Sequence, residues 1–135
     1  MNEKILIDTS VFVEAEIDPG PLLRWLAQQE DVVTSEVVLA EFSVGIHAPA
    51  QVITREQAKR FFDEFILPLP ARPVQADDFR EVGRLIGNAI RQGKARPGLG
   101  DGLIALCALR EGRTVATTNV KDFKALGVHA VNPFA

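Results

Sequence analysis

The sequence has a single cysteine, no long hydrophobic run and no excess of basic residues. Cys107 cannot form a disulfide within the chain, and its apolar neighbours predict a small core residue in a reducing, cytoplasmic compartment. No apolar run approaches the roughly 20 residues that span a bilayer, so we expect neither a membrane helix nor a signal peptide. The net charge is −3, from 15 basic and 18 acidic residues. This balance counts against a nucleic-acid substrate unless bound divalent cations reverse the local field.

The chain of 135 residues is long enough for one domain, residues 1–135, with one hydrophobic core. Its pattern alternates short apolar strands with amphipathic helices. Such alternation predicts an α/β fold with a mainly parallel central sheet and helices on both faces. The first strand is apolar throughout, as expected of a strand that is buried on both sides.

Local signals place most of the elements. Strands are predicted at residues 4–7, 32–34, 114–117 and 128–131. Helices are predicted at residues 22–26, from a cap at Ser35 to Pro49, from a capping box at Thr54 to residue 65, at 75–92, and from Asp101 to Gly112. Residues 66–70 are predicted to form a short extended piece bounded by prolines, and residues 119–123 a polar connection.

Four acidic residues fall where a parallel sheet would bring them together. Asp8 follows the first strand, Glu41 lies in the helix after the second, Asp101 begins the buried helix, and Asp122 follows the strand at 114–117. Ligands of such sheets bind outside the carboxyl ends of the strands. Each acid also has a structural interpretation: a helix cap for Asp8, a cap or a first-turn acid for Asp101, an exposed helix face for Glu41, and a structural or solvated turn for Asp122.

Clustered carboxylates repel one another and take up protons unless cations compensate them. Their hard oxygen ligands suit Mg²⁺ or Mn²⁺, which commonly share coordination with substrate phosphates. Such a metal can activate a water molecule and stabilise charge on a phosphodiester. The acids therefore favour metal-dependent phosphodiester hydrolysis.

Four motifs occur in order along the chain: ILIDTSV at residues 5–11, AEFSVG at 40–45, DGLIA at 101–105 and TTNVKDF at 117–123. Together they resemble the motifs of the PIN-domain ribonucleases, and among these the VapC-like toxins of type II toxin–antitoxin systems. One departure is Gly102, where the family usually has a larger residue.

The resemblance implies a compact three-layer α/β/α sandwich that cleaves RNA endonucleolytically and is neutralised by a small antitoxin protein. It implies that Asp8, Glu41, Asp101 and Asp122 bind Mg²⁺ or Mn²⁺ and form the catalytic site. Asn119 is an alternative to Asp122 or a helper, and Thr9 or Ser10 would orient a ligand by hydrogen bonding.

Further residues are candidates for contacts with RNA or with partners. We expect Lys94, Arg96 and Lys121 to guide the phosphate backbone, although a solvated basic loop explains them equally well. A homodimer is also expected. Trp25 and its leucine neighbours are candidates for a partner-binding patch, and Phe61, Phe62 and Phe65 for a groove that binds a second copy or the antitoxin. Both groups can also be core residues. His47 and His129 are assigned surface or packing roles.

Other functional classes remain open at this point. A phosphatase with an aspartate nucleophile would begin with the same strand and aspartate, but would need a second aspartate where Ser10 stands. A phospho-acceptor signalling domain would need an acidic pair near the first strand and a lysine after a late strand, and the acidic pair is missing. The remaining alternative is a PIN-like module that binds RNA or a partner without cutting it. The loss of an acid from one of the four motifs would indicate such a module. All four motifs keep their acid, so an active nuclease is favoured.

Overall fold

The computed structural model describes residues 3–48, 53–94 and 96–135, and a parallel sheet lies at its centre. Its strands are β1 (Lys4–Ile7), β2 (Asp31–Ser35), β3 (Ala71–Arg72), β4 (Thr114–Ala116) and β5 (Ala130–Val131). The strand order is β3-β2-β1-β4-β5, and each neighbouring pair is parallel. The predicted α/β class with a mainly parallel sheet is confirmed.

Seven α-helices in the described ranges flank the sheet. They are α1 (Thr9–Ala15), α2 (Gly20–Leu26), α3 (Glu36–His47), α4 (Arg55–Phe61), α5 (Asp78–Arg91), α6 (Leu99–Glu111) and α7 (Val120–Ala125). The predicted caps are confirmed: Ser35 accepts a hydrogen bond from the Val37 amide, and Thr54 forms a capping box with Gln57. Pro49, the predicted end of α3, lies outside the described residues. Within those residues, no helix is both long and apolar enough to cross a membrane.

Strand β1 is the centre of the sheet and of the core. Ile5, Leu6 and Ile7 are at most 1% exposed although they point alternately to opposite faces of the sheet. Burial on both faces requires a layer of helices on each side, which is the expected three-layer arrangement. In register, Leu6 lies opposite Val33 of β2 and Val115 of β4. The core therefore fixes the end of β1, directly before Asp8.

Helix α6 begins two residues earlier than predicted, at Leu99, with Gly98 as its N-cap residue. Gly102 therefore lies within the first turns of the helix, where it faces α5. A Cβ at this position would lie 2.6 Å from Cγ2 of Val82. The glycine allows α5 and α6 to pack closely, which explains why no larger residue stands beside Asp101.

The prediction of an extended piece at residues 66–70 is wrong. A π-helical turn, Phe62–Ile66, continues α4, and the Leu67 amide donates to the carbonyl of Phe62. The strand of this region, β3, begins later in the chain, at Ala71. It directly follows Pro70, whose carbonyl accepts a hydrogen bond from the Thr34 amide. Ile66 is fully buried on the helical turn. Packing in the core therefore favours a helical conformation over an extended strand at this residue.

The aromatic residues belong mainly to the core. Phe61 packs against Phe12, Phe42 and Phe65, with ring centroids 4.9 to 6.4 Å apart. Trp25 is partly buried against the same core, and Cys107 is buried as predicted. His47 and His129 are exposed.

Candidate active site

Asp8 lies at the carboxyl end of β1, in the N-cap position of α1, but its side chain does not cap that helix. Its Oδ2 atom instead accepts hydrogen bonds from Ser10 Oγ at 2.8 Å and from Thr117 Oγ1 at 2.9 Å. Its amide donates to the carbonyl of Ala116 in β4. The interpretation of Asp8 as a helix cap is therefore wrong, since the side chain is turned towards the end of β4.

The two hydroxyl groups that hold Asp8 are themselves fixed by backbone amides. The Thr118 amide donates to Ser10 Oγ at 3.0 Å, and the Asn119 amide donates to Thr117 Oγ1 at 2.9 Å. Among the described residues, no hydrogen bond reaches Oδ1 of Asp8, and no buried side-chain oxygen lacks a partner. Oδ1 is accordingly open at the rim of the sheet, while Oδ2 is anchored.

Glu41 lies in the interior of α3 and is exposed, as its alternative interpretation required. It nevertheless has a specific partner, because Thr9 Oγ1 donates to its Oε1 atom at 2.6 Å. Its other oxygen lies against the first turn of α6, where a Cβ on Gly100 would come within 2.5 Å of Oε2. Glu41 is thus held between α1 and α6.

Asp101 lies one residue after Gly100 and is half-buried in the first turn of α6, as one of its two structural interpretations predicted, rather than at the cap. Its burial, together with the charges of Asp8, Glu41 and Asp122, raises the pKa of its carboxyl group from 3.8 to about 6. All three other predicted acids therefore lie near enough to Asp101 to repel its negative charge. The convergence that was predicted from the topology is present at this rim.

The remaining predicted residues lie around this cluster. Asp122 is in the first turn of α7, so its assignment to a polar connection is wrong. Asn119 is the exposed N-cap residue of the same helix, and its side chain forms no cap bond. Lys94 and Lys121 line one cavity together with Asp122, whereas Arg96 is exposed and does not line it.

The chemistry of the donor set fits a hard divalent cation. In the described part of the chain, none of the ion pairs includes any of the four acids, so no direct ion pair compensates their charge. In the side-chain arrangement of this structure, no three acidic, histidine or cysteine residues of the described part of the chain form a group that could hold a metal ion. Binding would therefore require the carboxylates to turn towards one another.

Sequence reasoning did not assign roles to two residues of this site. Thr117 orients Asp8, and it stands at the start of the motif TTNVKDF, where a hydroxyl before the polar connection was the available signal. Gly100 leaves room for Glu41. Its signal was the run GLGDG at residues 98–102, in which glycines stand on both sides of Asp101.

The PIN-domain family model matches residues 5–128, so the chain belongs to the PIN-domain family. It is 33% identical over 138 residues to the VapC ribonuclease Y4jK of Sinorhizobium fredii, and the match covers 96% of this chain and 97% of that protein.

Solved structures with a similar fold include two that match nearly the whole chain. FitAcB from Neisseria gonorrhoeae is 26% identical, with a TM-score of 0.79 and coverage of 96% of this chain and 98% of that one. VapBC-5 from Mycobacterium tuberculosis, a member of the VapBC family of toxin–antitoxin systems, is 29% identical, with a TM-score of 0.72 and coverage of 98% and 99%.

Proposed function

We propose that this protein is a cytoplasmic endoribonuclease toxin that depends on Mg²⁺ or Mn²⁺ and is neutralised by a cognate antitoxin. The observation that carries the proposal is the convergence of Asp8, Glu41, Asp101 and Asp122 at the carboxyl end of the sheet, with none of the four in an ion pair within the described part of the chain. A relative named as a ribonuclease supports the activity. A structural neighbour from a family of toxin–antitoxin systems supports the partner.

Asp8, Glu41, Asp101 and Asp122 would hold the metal, with Asn119 as the alternative to Asp122. A divalent cation bound there would polarise the phosphodiester and lower the pKa of the attacking water. The chain's own hydroxyl groups position the acids. Ser10 and Thr117 fix one oxygen of Asp8 and leave the other free, and Thr9 holds Glu41.

The experiment compares the purified protein with Asp8→Asn on total RNA, with Mn²⁺, with Mg²⁺ and with EDTA. Asp63→Asn, at an exposed site on the π-helical turn, is the matched control for losing one carboxylate. Cleavage is expected from the wild type and the control in either metal, and neither from Asp8→Asn nor in EDTA. Products should carry a 5′-phosphate and a 3′-hydroxyl.

The same assay discriminates against the other candidates. Cutting by Asp8→Asn that equals the wild type, or cutting that survives EDTA, would refute the mechanism. RNA that is bound but never cut would instead support a silent binding module. Comparison of Asp122→Asn with Asn119→Ala decides the fourth ligand, because only loss of the true ligand should abolish cleavage.

The partner and the assembly have separate tests. Light scattering on the isolated chain should give twice the 14.8 kDa of one chain if it forms the proposed homodimer. Expression of the chain alone should arrest growth, and co-expression of its antitoxin should restore growth. An inert chain in cells that nevertheless cuts RNA in the tube would contradict the role as a toxin.

A further inference from the structure

A basic cavity lies beside the acid cluster, between the end of α5 and helix α7. Its volume is about 460 Å³. It is lined by Gly93, Lys94, Lys121, Asp122, Lys124 and Ala125. Asp122 belongs both to this cavity and to the set of acids that repel Asp101. The cavity therefore adjoins the proposed catalytic site at Asp122.

Its three lysines are free to bind an anion. The ion pairs in the described ranges all use arginines, so none of them neutralises Lys94, Lys121 or Lys124. All three side chains are exposed. Three lysines and one acidic residue line the cavity, on a chain whose net charge is −3. The local charge is thus opposite in sign to that of the whole molecule.

The three lysines are also held together by the fold. Lys121 and Lys124 are three residues apart on α7, which places them on neighbouring parts of its surface. Lys94 reaches across from the loop after α5, and its Nζ lies 3.4 Å from the carbonyl of Ala125 at the end of α7. The lysines of two separate elements therefore converge on one cavity.

We infer that this basic cavity is a subsite for the phosphodiester backbone of single-stranded RNA, next to the bond that is cut. The inference rests on the proposed function, and it adds Lys124 to the substrate contacts and omits Arg96. An acidic protein would be attracted by the same charge. RNA is favoured because the cavity shares Asp122 with the catalytic acids, and a flexible single strand can bend a phosphate into a cavity of this kind.

The test replaces Lys94, Lys121 and Lys124 together by glutamine. The control is the triple variant Lys4→Gln, Arg24→Gln and Lys59→Gln, which removes the same charge from exposed sites outside the cavity. The rates of cleavage of a single-stranded RNA oligonucleotide with Mg²⁺ are measured at about 50 and about 200 mM KCl. Thermal melting verifies that both variants remain folded.

Each phosphate contact to a single strand contributes about 0.7 to the slope of log affinity against log salt, so three contacts contribute about 2. Between the two salt concentrations, kcat/KM of the wild type and the control should therefore fall roughly 20-fold more than that of the lysine variant. At the lower salt concentration the lysine variant should show KM raised about tenfold or more and little change in kcat, as expected for lost substrate binding.

Equal KM values and equal salt slopes in the two triple variants would overturn the subsite while leaving the nuclease in place. A large loss of kcat with unchanged KM would also overturn it, because that pattern indicates disturbed acids. A wild-type protein that does not cut RNA with either metal would refute the proposed function itself, and the subsite with it.

Discussion

Replacement of Asp101 by asparagine should stabilise the metal-free protein at neutral pH. Burial of Asp101, together with the negative charges of Asp8, Glu41 and Asp122, raises its pKa to about 6. Above that pH the folded protein holds an unfavourable negative charge. Asparagine has nearly the same shape and carries no charge, so it removes the repulsion.

The expected size of this effect follows from the pKa. The rise from 3.8 to about 6 corresponds to an upper bound of about 3 kcal/mol, at about 1.4 kcal/mol for each unit. Asp101 is only half-buried, and solvent screening should reduce the gain to about 1–2 kcal/mol. The stabilising effect of protonation is fully present in the wild type below about pH 4 and is lost as the pH rises through 6. The advantage of the variant should therefore grow over the same range.

The assay is urea unfolding in EDTA at pH 4.5 and pH 7.5, with Asp63→Asn as the control for a carboxylate at an exposed site. We expect the free energy of unfolding of Asp101→Asn to exceed that of the wild type at pH 7.5 and to approach it at pH 4.5. The control should show no such trend. Addition of Mn²⁺ should then stabilise the wild type more than Asp101→Asn, because bound metal needs the carboxylate.

An Asp101→Asn variant that is no more stable than the wild type at pH 7.5 would refute the reasoning. So would a stabilisation of the same size at both pH values, because it would not arise from the loss of a proton.

Three other substitutions test the packing around the site. Gly100→Ala places a Cβ 2.5 Å from Oε2 of Glu41, so RNA cleavage should fall about tenfold or more with a small change in stability. Gly102→Ala places a Cβ 2.6 Å from Val82, and urea unfolding should show a loss of about 1–3 kcal/mol. Thr117→Val removes a hydrogen bond to Asp8 and should cost about 1–2 kcal/mol together with much of the cleavage rate.

Gly83→Ala is the matched control for both glycine substitutions, since nothing lies within 4 Å of a Cβ at that position in α5. It should stabilise the protein by about 0.5–1 kcal/mol. If Gly102→Ala is as stable as Gly83→Ala, the close packing of α5 and α6 is not required. If Gly100→Ala cuts RNA at the wild-type rate, contact with Glu41 is not critical.

Elements with local signals could be predicted from the sequence. The apolar run before Asp8 forms β1, and the caps at Ser35 and Thr54 act as their side chains suggested. These features depend on residues close together in the chain, so the sequence contains most of the information that decides them. The convergence of the four acids could likewise be predicted, because parallel strands place their carboxyl ends at one edge of the sheet.

Elements decided by distant contacts could not be predicted in the same way. Residues 62–66 form a π-helical turn that buries Ile66 in the core. Strand β3 follows Pro70, whose carbonyl accepts a hydrogen bond from the Thr34 amide of β2. A short apolar run with prolines is compatible with helix or strand when read alone. Only the tertiary packing selects between them.

The candidate site shows the same division. The residue types that suit a metal could be read directly, but the groups that hold them could not. Thr117 reaches Asp8 from the far end of the chain, and Gly100 matters only because Glu41 lies against it. Such roles depend on which surfaces meet after folding, and a single sequence does not contain that information in local form.

The central place of β1 has a consequence for how the protein is made. Its neighbour β2 belongs to the first half of the chain and its neighbour β4 to the second. A ribosome therefore releases Asp8 and Glu41 before it has made α6, which carries Asp101, and α7, which carries Asp122. An unfinished copy lacks both the second pair of acids and the strand that orients Asp8. The proposed toxin would thus be harmless until α7 has been translated and has docked, and the cell would need its antitoxin only from that point.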